Sequence, residues 1–232
     1  MRRLGILQCG RAPEVVSANH GEYLKWFRAL LAPHGFVLEA WDVENLSFPS
    51  SPDAADAWLI TGSKHGAYED HAFVAPLEAF IRDVHAAKAP LVGICFGHQI
   101  IATALGGRVE KFEGGWNFGR QRYAVDGLGE VYLNACHQDQ VLDLPDGAQV
   151  IASNDGCRFA GFRIGDHCVT LQPHPEIDPA ILADYVVHFR GLGKLETAMV
   201  DAAEAMLHLP SSELAVGAWL ADALKVRQPS CA

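Results

Sequence analysis

The chain is expected to fold as a three-layer α/β protein, an open and mostly parallel sheet between helices with an antiparallel extension. Two patterns carry this expectation. Through the first hundred residues, short apolar runs alternate with stretches of helical periodicity, as in units that cross from strand to parallel strand through a helix. From Arg108 to Gln172 apolar runs follow one another closely with no helical stretch between them, which calls for antiparallel neighbours.

Leu4 to Cys9 and Phe36 to Trp41 read as strands around a helix near Glu22 to Leu31, and Ala57 to Thr61 is a third strand before a helix near Pro76 to Lys88. Pro90 to Ile94 is a short buried strand. Ile100, Ile101, Ala104 and Leu105 follow at helical spacing until Gly106-Gly107 stops the helix. Arg120 to Val125, Val131 to Cys136, Arg158 to Ile164 and Cys168 to Gln172 supply the closely spaced strands. Beyond Glu176 the pattern is helical over Pro179 to Arg190 and Leu195 to Leu207, and Pro210-Ser211-Ser212-Glu213 caps a last helix to about Val226. Its apolar stripes read as core packing, so residues 191–232 are expected to be a helical extension packed on a domain of residues 1–190.

A chain of 232 residues, half hydrophobic and one fifth charged, has enough material for one globular core. A net charge of −10 and a sequence pI near 5.5 repel phosphate backbones and anionic membranes, so neither nucleic acid nor membrane is an expected partner. No apolar run approaches the ~20 residues of a membrane span, and Met1-Arg2-Arg3 leads into a strand rather than a cleavable leader; the cytoplasm is the expected location. Six cysteines without a C-x-x-C pair point to reduced thiols. Eleven histidines without H-E-x-x-H or zinc-spaced Cys/His clusters give no reason to expect a metal, and no cofactor is expected.

The chemistry is concentrated in Gly93-Ile94-Cys95-Phe96-Gly97-His98-Gln99, where a strand gives way to a helix through a cysteine with glycine two residues to either side. Such a turn holds a strained backbone while the central side chain projects from the strand end. The helix amino terminus beneath the sulfur favours a thiolate, and its free N–H groups, Phe96 first, can serve an oxyanion. A base is expected in Gln172-Pro173-His174-Pro175-Glu176, because the prolines hold His174 extended and residues two apart then face one side. Glu176 can therefore orient one imidazole nitrogen and leave the other for the thiol, which completes a nucleophile, base and orienter set. Cys9, Cys136, Cys157, Cys168 and Cys231 read as inert core thiols, and His98 and His137 as structural histidines that satisfy local backbone.

The segments G-I-C-F-G-H-Q and Q-P-H-P-E resemble the two signatures of class I glutamine amidotransferases. The resemblance covers roughly residues 4–190 and implies a flavodoxin-like sheet, with Cys95 attacking the γ-carboxamide of glutamine, His174 transferring the proton to departing ammonia, and Glu176 orienting His174. It carries Gly62 of Ala57-Trp58-Leu59-Ile60-Thr61-Gly62-Ser63 into the oxyanion hole, although Ser63 stands where the family often has a second glycine. Gln99 matches a position that holds the substrate, and His137-Gln138-Asp139-Gln140-Val141 resembles the family's H-x-D-x-V segment, which brings Gln138 and Asp139 to the amino-acid end of glutamine.

Thr61 to Asp70 and Gly115 to Gly119 are similar to the glutamine domain of GMP synthase and to γ-glutamyl peptidases. The resemblance thus implies a glutaminase that passes ammonia to a separate synthetase subunit, or else a peptidase acting on γ-glutamyl peptides such as glutathione or its conjugates, with Tyr68, Trp116 and Phe118 as walls on the leaving-group side. A catalytically silent relative that binds a metabolite or senses oxidants is the remaining reading.

Overall fold

The computed structural model describes residues 1–225; Cys231 and the expected helix end at Val226 lie outside them. In chain order the elements are β1 (Arg2–Gln8), α1 (Glu14–His20), α2 (Tyr23–Leu31), β2 (Phe36–Asp42), β3 (Ala57–Ile60), α3 (Val74–Ala86), β4 (Leu91–Ile94), α4 (Phe96–Ala104), β5 (Arg108–Lys111), β6 (Asn117–Val125), β7 (Gly129–His137), β8 (Asp139–Asp143), β9 (Ala148–Asn154), β10 (Cys157–Ile164), β11 (Cys168–Leu171), α5 (Pro179–Leu192), α6 (Thr197–Ala205) and α7 (Glu213–Ala223). Nine strands form one sheet in the order β2-β1-β3-β4-β11-β10-β9-β6-β7, and β5 pairs with β8 as a separate ribbon. The first five run parallel, and the strands from β10 to β7 add an antiparallel arm. This is the expected mixed α/β architecture.

The central parallel strands β3, β4 and β11 are buried on both faces because helices cover both, whereas the edge strand β2 exposes Val37 and Glu39. Leu4, Ile6, Leu38, Leu59, Val92 and Ile94 face one core with α2, α5 and α7, whereas Leu7, Trp58, Ile60 and Leu91 face the other with α3 and α4. Tyr23, Trp26, Phe27, Leu30 and Leu31 of α2 fall at the spacing of a single stripe and are all buried. Each such side chain contributes about 1.5–3 kcal/mol through burial. α6 lies on β6 and α7 on α2 and β11. Contact there is close: a Cβ on Gly119 would come 2.6 Å from the Cβ of Ala203, and one on Gly217 would come 2.4 Å from Leu30.

Ser212 occupies the N-cap position of α7 but does not cap it; its hydroxyl accepts the Tyr132 N–H at 3.0 Å and ties the helix start to β7. Four elements were outside the sequence expectation: α1, β5, β8 and β9. α1 buries only Val16 and so carries no apolar stripe, and β5 buries only Val109.

Candidate active site

Cys95 closes β4 and opens α4 with φ 54° and ψ −104°, a conformation that few non-glycine residues adopt. Neighbouring backbone enforces it. A Cβ on Gly93 would lie 2.4 Å from the Gly97 carbonyl oxygen, and one on Gly97 would lie 2.3 Å from the Ile60 carbonyl oxygen. The Cys95 N–H donates to the Leu171 carbonyl at 2.9 Å and the Gly97 N–H to the Thr61 carbonyl at 3.1 Å, which locks the turn to the strands on either side. Phe96 is the first residue of α4, where a backbone N–H has no intrahelical acceptor; its ring is buried against Phe73.

Gly62 follows β3 beside this turn. A Cβ there would approach His174 Cε1 to 3.0 Å and the Cβ of Cys95 to 3.8 Å, so the absence of a side chain lets the imidazole reach the cysteine. Ser63, the departure from the usual glycine, donates its hydroxyl proton to the Cys9 carbonyl at 2.7 Å and accepts the His65 N–H at 3.2 Å, pinning the loop to the end of β1.

His174 and Glu176 are brought together as their spacing predicts, with Nδ1 and Oε1 2.7 Å apart and both side chains buried. Burial opposes an imidazolium at His174, yet the Glu176 carboxylate and the Cys95 sulfur, within hydrogen-bonding reach, outweigh it and raise His174 well above the ordinary histidine range. The segment is also held from the antiparallel arm. The Asn134 carbonyl accepts the His174 N–H at 2.8 Å, and the Asn134 amide donates to the Ile177 carbonyl at 2.6 Å. Asn134 Oδ1 in turn accepts Arg120 Nε at 2.9 Å, and Arg120 Nη1 donates to the Leu209 and Pro210 carbonyls at 2.6 and 3.0 Å. Sequence reasoning missed Asn134 and Arg120, because no local motif marks a network that spans four segments.

Cys95 and His174 lie in a cleft of about 580 Å³ whose lining includes Gln99, Gln138, Asp139, Tyr68 and Trp116. Gln99 Nε2 donates to the Asp139 carbonyl at 2.9 Å and to Gln172 Oε1 at 3.1 Å, so its amide N–H groups brace the cleft wall. Gln138 Nε2 reaches the Phe112 carbonyl at 3.4 Å, and the Asp139 carboxylate accepts the Tyr68 hydroxyl at 3.2 Å. Burial pushes Asp139 above the usual carboxylate range. Phe118 corrects an expectation: it is buried against Phe189, in the core rather than on the cleft wall. Cys136 does the reverse, lining the cleft, while Cys9, Cys157 and Cys168 are buried. Burial raises the Cys157 and Cys168 thiols to about 12.

His98 bonds Thr170 Oγ1 at 2.8 Å and His137 bonds the Asp139 carbonyl at 3.2 Å. Burial lowers both imidazoles to about 3. Among the described residues no helix is long and apolar enough to cross a membrane.

The sequence profile of the class-I glutamine amidotransferases matches residues 52–187, which hold Gly62, Cys95, Phe96, Gln99, Gln138, Asp139, His174 and Glu176. Gamma-glutamyl peptidase 3 of Arabidopsis thaliana is 30% identical over 213 residues, 84% of each chain. The GMP synthase of Bartonella quintana is 32% identical over 135 residues, 52% of this chain and 24% of that protein. A crystal structure of a glutamine amidotransferase from Methylobacillus flagellatus superimposes with a TM-score of 0.77 at 20% identity, covering 97% of this chain and 92% of the other. One from Thermotoga maritima gives 0.73 at 19% identity, covering 96% of both. With a matching profile across more than half of its length and a fold shared along nearly all of it, the chain belongs to the class I glutamine amidotransferase family.

Proposed function

We propose that the protein is a cysteine hydrolase of γ-glutamyl C–N bonds that acts on γ-glutamyl peptides. The observation that carries the reading is the meeting of the Cys95 elbow with the buried His174–Glu176 pair in an open cleft. His174 takes the Cys95 thiol proton as Sγ attacks, and the imidazolium so formed is held by Glu176 for the next step. Sγ adds to the γ-carbonyl carbon, and the Gly62 and Phe96 amides receive the oxyanion. His174 then protonates the leaving nitrogen as the C–N bond breaks, leaving a γ-glutamyl thioester. Neutral His174 next takes a proton from water, hydroxide adds to the thioester, and glutamate leaves as the thiolate re-forms.

The choice of a peptide is supported by room on the leaving-group side. The cleft of about 580 Å³ takes in Trp116, Phe189, Leu192 and Lys194 as well as Cys95, more room than a single glutamine fills. Gln138 and Asp139 form the wall assigned to the amino-acid end of the substrate. A glutaminase that hands ammonia to a synthetase is the second reading, favoured by the likeness to GMP synthase over half of the chain. Glutamate release from glutamine and from γ-glutamyl dipeptides, measured side by side with Cys95→Ala as the blank, separates them. Faster peptide turnover upholds the first reading and a glutamine preference the second. Turnover that survives Cys95→Ala removes both.

A further inference from the structure

We propose that the loop between β3 and α3 holds a divalent cation of the zinc class through His65, Glu69 and His71. One ligand atom from each of these side chains lies within 4.8 Å of the others. Ligand atoms around a tetrahedral zinc with bonds of about 2.0–2.1 Å sit roughly 3.4 Å apart. Closing that gap needs movements of about an ångström, within reach of side chains that are half-buried or exposed.

The surroundings orient the donors. The His65 and His71 rings lie with centroids 4.1 Å apart and planes tilted by 53°, and Phe73, itself buried, backs both at 5.6 and 6.0 Å. Glu44 Oε1 lies 3.0 Å from His65 Nε2, a carboxylate–imidazole contact of the kind that orients a metal-binding histidine. Glu69 Oε2 accepts the Gly66 N–H at 3.0 Å and lies 2.8 Å from His71 Nε2, so a proton now bridges two donors that a cation can bridge instead. Two imidazoles and one carboxylate suit zinc or cobalt better than magnesium or calcium, which prefer oxygen.

Three protein ligands leave a coordination position open. His65 and Glu69 also line the cleft that holds Cys95, with Tyr68 between them in sequence bonded to Asp139. A cation here therefore braces the cleft wall and offers an anionic group in the cleft an additional contact. The site stands whether or not Cys95 hydrolyses anything.

The test is calorimetric titration of the chelator-treated chain with zinc chloride, and with cobalt chloride followed by visible absorption. Both use a Cys95→Ala background so that the elbow thiol contributes nothing. One equivalent is expected to bind at micromolar concentration, with cobalt bands of N/O ligation and no thiolate charge transfer. Affinity is expected to fall at least tenfold in His65→Ala, in His71→Ala and in the near-isosteric Glu69→Gln, and to be unchanged in His85→Ala, whose ring pairs with His167 away from the loop. Circular dichroism confirms that each variant is folded. Absence of saturable binding by the folded parent overturns the site, and so does undiminished binding by the His65 and His71 variants.

Discussion

Cys95 and His174 meet in one cleft, but Cys95 sits in the parallel half of the sheet and His174 where that half joins the antiparallel arm, and different forces fix them. The elbow is set by exclusion: Gly93 and Gly97 lie so close to neighbouring carbonyls that no added carbon fits, and the backbone at Cys95 has no other course. The His174 segment is set by attraction, through Glu176, Asn134 and, behind Asn134, Arg120 and the carbonyls of Leu209 and Pro210. Steric fixing responds abruptly to substitution, whereas a polar network loses its grip bond by bond.

Glu176→Gln attacks the second mode at its strongest point. It keeps shape and packing but removes the charge that holds the imidazolium, and turnover is expected to fall about 10³- to 10⁴-fold. A loss under tenfold in kcat would show that the carboxylate does not orient the base. Gly97→Ala attacks the first mode. Its methyl would stand 2.3 Å from the Ile60 oxygen, and we expect about 3 kcal/mol of lost stability in urea unfolding.

Acid distinguishes the site's histidines from one another. His98 and His137 are neutral in the fold, with affinities for the proton near 3, so their share of stability is complete above about pH 6.5 and declines as pH falls toward 3. His174 has the opposite sign: its contribution is complete below the ordinary histidine range and is lost as pH rises through its elevated folded value. Urea midpoints from pH 4 to 9 check both limbs, and a flat acid limb would contradict the neutral assignment. The smallest effect expected is that of Arg120→Lys, which keeps the charge and loses the Nε bond to Asn134. About 1 kcal/mol of stability and a several-fold drop in kcat at constant KM should follow.

The sequence was most legible where one segment contains its own reasons. The elbow announces itself through two glycines, and the His-x-Glu pair through two prolines that fix which side chains share a side. The central parallel strands were visible as apolar runs because both of their faces are covered. Legibility failed where the reason lies elsewhere in the chain. β5 and β8 are a two-stranded ribbon that buries little. Phe118 looked like a cleft aromatic until α5 placed Phe189 against it. Gln99 lines the cleft, and the partners that hold its amide N–H groups, the Asp139 carbonyl and Gln172, are not named by its own motif. The spacing His65-x-x-x-Glu69-x-His71 was present in the letters and matches no short zinc signature; only the turn that folds the loop back brings its donors together.

The positive φ at Cys95 sets chemistry and durability against each other at one residue. An L-amino acid in that conformation raises the energy of the fold by about 1–2 kcal/mol, and glycine would relieve it. Selection for heat resistance alone would accordingly favour glycine at position 95 and discard the sulfur that the elbow presents beside His174. Under the proposed function, a cysteine at this position trades durability for reactivity at a single backbone angle.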